Sequence, residues 1–154
     1  MVRTKSTMQD LGSKAPNFTL ANTNPNWELT VVSLSDFADK KGVLVAFICN
    51  HCPYVIHILD EFITFSSQYI SKEIAIIAVS SNDVENYPED SPQKMAELAT
   101  KNKFSFPYLY DEDQEVARAY KAACTPDFFL YDKDMRLVYR GQFDNSRPNN
   151  QKPT

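Results

Sequence analysis

A chain of 154 residues with 43% hydrophobic content is the size of one domain and can bury an ordinary core. Its 16 basic and 20 acidic residues leave a net charge of −4, which argues against nucleic acid or an anionic membrane as partner, because both select basic faces. No apolar stretch approaches the length of a membrane span, and Arg3 and Lys5 are followed by no apolar run of the secretory kind, so the expected compartment is the cytoplasm.

Gly12 to Leu20 ends in alternating apolar and polar residues after Pro16, the pattern of an edge strand. Asn22 to Trp27 is turn-rich, and Leu29 to Val32 can return as a hairpin partner. Ser33 to Phe37 reads as a short helical turn. Val43 to Ile48 is apolar without alternation, the sign of a central strand covered on both faces. Pro53 suits the first turn of a helix, where its missing N–H costs nothing. Val55, Ile56, Leu59, Phe62 and Ile63 then follow at helical spacing, up to about Tyr69.

Glu73 to Val79 predicts a second buried strand, Ser80 to Asp90 a loop at its C-terminal end, and Ser91-Pro92 the start of a helix to about Lys103. Phe106 to Leu109 is a short strand, and Asp113 to Ala122 a helix with Val116, Ala117 and Tyr120 on one face. Phe128 to Tyr131 and Leu137 to Tyr139 predict an antiparallel hairpin around the turn Asp132 to Met135. Alternating strands and helices closed by a hairpin define an α/β layered sheet over residues 1–143. Residues 144–154 are polar and rich in Pro and Asn, the composition of a mobile tail.

Three cysteines are too few for a disulfide scaffold, and two of them lie in Cys49-Asn50-His51-Cys52. The predicted strand stops at Ile48 and the predicted helix starts at Pro53, so this pair straddles a strand-to-helix turn. A thiolate there meets unpaired N–H groups and the positive end of the helix dipole, which lower its pKa from about 8.5. A cationic His51 beside it would stabilise the reduced form further and make the disulfide more oxidising. Three other readings stand beside this one: two inert buried thiols, a structural disulfide, and a zinc site using Cys49, Cys52, His51 or His57. The zinc site requires four ligands and the chain offers a single knuckle, so no metal and no cofactor is expected.

Four stretches carry a family likeness: Gly12 to Leu20 (Gly-x-x-Ala-Pro-x-Phe-x-Leu), Val43 to Tyr54, Asp111 to Tyr120, and Cys124-Thr125-Pro126-Asp127. Together they resemble the thioredoxin-like superfamily, in its branch of alkyl hydroperoxide reductase/thiol-specific antioxidant proteins and TlpA/ResA-type thioredoxins. More narrowly, Cys49 to Tyr54, Ser81-Asn82-Asp83, Thr125 to Phe129 and Tyr139-Arg140-Gly141-Gln142 look like one group of thioredoxin-like proteins. The resemblance implies a thioredoxin-like fold, a central mixed sheet flanked by helices, with an N-terminal β-hairpin extension. It also implies that Thr125-Pro126 is a cis-proline loop facing the cysteines, whose backbone can pair with a substrate chain.

An ungapped count from Phe47 puts the attacking thiol at Cys52, with Cys49 as its partner; alignment on the helix reverses the two. Pro53 and the strand count favour Cys52. Peroxiredoxins keep Thr three residues before their Cys-Pro, where this chain has Cys49, and no Arg lies nearby in sequence, although Arg140 or Arg147 could reach the site. Cys124, next to Thr125, is either a third redox thiol or a small core residue. The implied activity is thiol–disulfide exchange with protein or small-molecule disulfides and a cellular thiol reductant. Thiol peroxidase activity and a non-catalytic or metal-holding module are the alternatives. Thioredoxin domains close with a helix after the terminal hairpin, but Gln142 is followed here by a polar tail, so the expectation is either a truncated chain or a face covered by a partner or by self-association.

Overall fold

The computed structural model describes residues 12–48, 53–81, 91–122 and 127–141, with the side chains in those ranges except at 53–55 and 57. Strand β3 (Gly42–Phe47) is buried along its whole length, as its unbroken apolar run requires. It lies between β4 (Ile74–Ser80), which runs parallel to it, and β6 (Asp127–Asp132), which runs antiparallel. Strand β7 (Leu137–Gly141) pairs antiparallel outside β6, with a bulge between Leu130 and Tyr131. On the other side β5 (Tyr108–Tyr110) is parallel to β4, followed by β1 (Thr19–Asn22) and β2 (Val31–Ser33). The result is one mixed seven-stranded sheet in the order β2-β1-β5-β4-β3-β6-β7.

Three helices pack on it: α1 (Pro53–Ile70), α2 (Pro92–Lys101) and α3 (Glu115–Tyr120), with a 3-10 turn at Leu34–Phe37. None among the described residues is long and apolar enough to cross a membrane. Alternation along β3 divides the core in two. Val43, Val45 and Phe47 join Leu34, Phe37, Tyr120, Phe129 and Tyr131 on the face of α3 and the 3-10 turn. Leu44, Ala46 and Ile48 join Ile58, Phe62, Met95 and Ala99 on the face of α1 and α2.

Local chemistry accounts for the element limits. Ser91 Oγ accepts from Lys94 N, and Pro92 opens α2, so this helix carries both the cap and the proline that its sequence advertises. Ser33 and Asp36 form a capping box at the 3-10 turn. In the β6–β7 turn the Asp132 carboxylate accepts from Asp134 N and Arg136 N, at 2.9 and 3.0 Å.

Two sequence expectations shift. The N-terminal strand is not at an edge: β1 lies between β2 and β5, and β2 is the edge. The turn-rich segment after it is the reason. Asn22 Oδ1 accepts from Tyr108 N at 3.1 Å, Thr23 Oγ1 donates to Tyr108 O at 2.7 Å, and the buried Asn24 donates to Phe104 O and Phe106 O at 3.2 and 2.7 Å. The β1–β2 hairpin is thereby latched onto β5. On α1 the buried stripe runs through Ile58 and Phe62, whereas Ile56 is 61% exposed. On β7, Val138 and Tyr139 are each about half exposed. Among the described residues no helix follows β7; residues 142–154 lie outside them.

Candidate functional site

Parallel pairing of β3, β4 and β5 brings their C-terminal ends to one edge of the sheet. Strand β6 runs the other way, so its first residue stands at the same edge, and Asp127 is paired in register with Phe47, the last residue of β3. The chain therefore leaves β3 towards α1 beside the point where it enters β6. Ile48 extends the ladder by donating its N–H to Val79 O, and α1 begins at Pro53. Crevices beyond the carboxyl ends of strands are where open α/β sheets hold their chemistry.

Two buried carboxylates fix this edge. Asp111, directly after β5, is fully buried and donates its N–H to Ser80 O. Its carboxylate accepts from Ser81 Oγ at 2.7 Å, Ala117 N at 2.9 Å and Val116 N at 3.3 Å. It ties the end of β4 to the first turn of α3 and satisfies two N–H groups that the helix start leaves open.

Asp127 is the second. Arg140, opposite Phe129 on β7, reaches diagonally across the sheet face and grips the Asp127 carboxylate, Nη2 to Oδ2 at 2.8 Å and Nε to Oδ1 at 3.4 Å. The same Nη2 donates to the Lys121 carbonyl at 2.8 Å, and the guanidinium carbon lies 4.9 Å from the Phe129 ring centroid. The Arg140 side chain has no solvent exposure, and its Nη1 is buried without a hydrogen-bond partner. Lys121 sits in the left-handed region (φ 58°, ψ 37°), which turns the chain sharply away from α3. Behind this pair, burial pushes the Tyr131 phenol above its usual range, with the Arg140 charge working against the shift.

Cys49, Asn50, His51 and Cys52, like Cys124, Thr125, Pro126 and Arg147, lie outside the described residues. Their flanks do not. Ile48 and Pro53 bracket the first segment and Ala122 and Asp127 the second, and the pairing of Phe47 with Asp127 sets the strand end before the first beside the strand start after the second. Of the two arginines that could reach the site by the sequence, Arg147 lies outside the described residues, and Arg140 has two of its three nitrogens engaged with Asp127 and Lys121. Sequence reasoning missed Asp127 and Asp111 as anchors. Each stands at a strand boundary beside an already recognised motif, and that position is the signal that could have marked them.

A sheet in this order, with a strand-to-helix turn at its central strand opposed by the start of an antiparallel strand, defines a thioredoxin-like domain of the redoxin kind. The thioredoxin domain of a thiol–disulfide oxidoreductase from Bacteroides vulgatus has this fold, with a TM-score of 0.67 and 22% identity over 88% of this chain and 90% of that one. Residues 11–140 match the AhpC/TSA family, and the chain belongs to it. A conserved protein from Geobacillus kaustophilus is 47% identical, with a TM-score of 0.93 over the whole of this chain and 80% of its own. A curated Mycobacterium tuberculosis protein, provisionally classed as a peroxiredoxin, is 26% identical over 91% of this chain and 80% of its own.

Proposed function

We propose that this protein is a thiol–disulfide oxidoreductase acting through Cys49 and Cys52. The observation that supports the reading is the register of Phe47 with Asp127, which pairs the end of β3, two residues before Cys49 in sequence, with the start of β6, the residue after Pro126 in sequence. In the reaction, the Cys52 thiolate attacks one sulfur of a substrate disulfide, forming a mixed disulfide while the other sulfur leaves and takes a proton. Cys49 then attacks Cys52, releasing the second substrate thiol and leaving the Cys49–Cys52 disulfide. A cellular thiol reductant returns the two electrons. His51 would tune the thiolate, and Cys124 is close enough in sequence to Thr125 to serve as a third thiol.

Single Cys→Ser variants test the assignment. Cys49→Ser should trap substrate on Cys52, detected by mass spectrometry of the mixed disulfide; a trap that forms only in Cys52→Ser reverses the two roles. A reduction potential near about −270 mV marks a reductant and one towards about −120 mV an oxidant.

The peroxiredoxin-like relative favours a second reading, thiol peroxidase activity. Cys49 stands where that chemistry keeps a threonine, and the Arg140 guanidinium is largely engaged elsewhere, so disulfide exchange is the stronger reading. Insulin-disulfide reduction without coupled peroxide consumption is the expected result, and the opposite pattern would replace it.

A further inference from the structure

On one face of the sheet α1 lies over β4 and α2 over β5, and the cover thins towards β6 and β7. Phe62 of α1 still meets Phe128 of β6, with ring centroids 5.5 Å apart. Two residues further along β6, Leu130 is half-buried, and its cross-strand partner Tyr139 on β7 keeps 47% exposure. A right-handed β3–α1–β4 crossover sets β4 beside one flank of α1 and β6 beside the other. Helical spacing puts Glu61, Phe65 and Gln68 on the flank towards β6. Phe65 stacks on Tyr69 with centroids 4.5 Å apart, Tyr69 is 37% exposed, and Lys72 Nζ lies 5.2 Å from the Tyr69 centroid.

We propose that this shelf, floored by Leu130 and Tyr139 and walled by Phe65 and Tyr69, binds a second copy of the same chain, with α1 antiparallel to its counterpart about a two-fold axis. Exposed tyrosines beside half-buried apolar side chains have the composition of an interface core. Charge selects the occupant. Glu61 and Lys72 are both exposed and stand at opposite ends of the aromatic stripe, separated by about three helical turns. A two-fold between antiparallel helices brings each Glu61 to Lys72 of the partner subunit, twice over, whereas parallel helices would set like charges against each other. The chain carries a net charge of −4, so this complementarity is local to the stripe. Such rim pairs add little affinity, but they fix register and partner.

Helix α1 starts at the sheet edge where β3 ends, so antiparallel helices direct the two such edges to opposite ends of the dimer. Neither subunit then completes the other's edge, and the assembly stands independently of the thiol–disulfide reading. The test is sedimentation equilibrium of the full chain, under reducing conditions that exclude intermolecular disulfides, at about 1 to 100 µM. A monomer–dimer equilibrium with a micromolar Kd is expected. Tyr69→Ser and Tyr139→Ser should each weaken it about tenfold or more. Glu61→Lys and Lys72→Glu should each weaken it about fivefold, and the double exchange should return Kd to within about threefold of wild type. Val31→Ser removes an exposed apolar side chain from the far edge strand β2 and should leave Kd unchanged.

Amide hydrogen exchange maps the face directly. Exchange over residues 61–72 and 137–141 should slow as concentration rises, while that over 19–33 stays unchanged. Circular dichroism establishes that each variant is folded, and if a tyrosine variant is not, the charge exchanges decide. A wild-type chain that stays monomeric at the highest concentration overturns the proposal, whether its own residues or a different protein cover the shelf. So does a dimer whose Kd is unmoved by the tyrosine variants and by both single charge exchanges, because the contact then lies elsewhere. A double exchange that binds no better than either single one removes the antiparallel register. Concentration-dependent dimers that weaken in the single exchanges and recover in the double one support it.

Discussion

At the scale of single residues, the buried Arg140–Asp127 pair and two tyrosines behave differently because their polar atoms are satisfied differently. Arg140→Met strands a buried carboxylate, and loss of one partner of such a pair costs about 3–5 kcal/mol. Combining it with Asp127→Leu should cost clearly less than the sum of the two single changes, a coupling that urea unfolding of all four proteins would read directly. Tyr120 Oη donates to Pro16 O at 2.7 Å, whereas Tyr131 Oη is buried with no partner. Tyr120→Phe should therefore lose about 1 kcal/mol, and Tyr131→Phe should be neutral or stabilising, since it removes an unsatisfied hydroxyl. Equal losses in the two variants would mean that Tyr131 Oη finds a partner in solution.

At the scale of elements, stability depends on how strand ends are tied to the helices beside them. Asp111 holds Ser81 and the first turn of the short helix α3, which has too few residues to be stable alone. Asp111→Ala should cost about 2–3 kcal/mol, the sum of a lost cap and an orphaned hydroxyl, and should raise exchange in α3 before that in α1. These ties also explain what was legible in advance. Strand and helix identities followed from period and caps: the unbroken run of β3, Ser91-Pro92 before α2, and the Asp132 turn each encode their own geometry locally. The place of β1 inside the sheet did not, because it depends on Asn22 and Asn24 meeting a strand some eighty residues away. Ile56 was misplaced for a related reason. Helical spacing fixes which residues share a face, but the neighbouring elements decide which face is covered. The cysteine motif was legible as sequence; the contacts of Arg140 with Asp127 and Lys121 were not, since they depend on the β6–β7 pairing.

At the scale of the whole molecule, one aromatic node joins parts of the chain that share no local sequence. Tyr120 of α3 packs against Phe18, Phe47 of β3, and Phe129 and Tyr131 of β6, with ring centroids 5.6 to 6.1 Å apart. Burial drives the phenols of Tyr120 and Tyr131 well above the ordinary value of 10.0, and for Tyr120 the neighbouring Tyr131 charge adds to the effect. Below pH 10 both tyrosines are neutral in the folded and unfolded chains, so they contribute no pH dependence. Above it the unfolded chain releases these protons while the folded chain retains them, so the unfolded state binds fewer and stability falls as pH rises. Each such group contributes a slope of up to about 1.4 kcal/mol per pH unit, so the pair can remove about 2.7 kcal/mol per unit. The expected behaviour is cooperative alkaline unfolding above about pH 10, with part of the phenolate absorbance appearing only as near-ultraviolet circular dichroism is lost. Tyr131→Phe should remove one of the two groups and roughly halve their share of the slope. Ionisation of all tyrosines ahead of the structural transition would show that the node admits water while the domain is still folded.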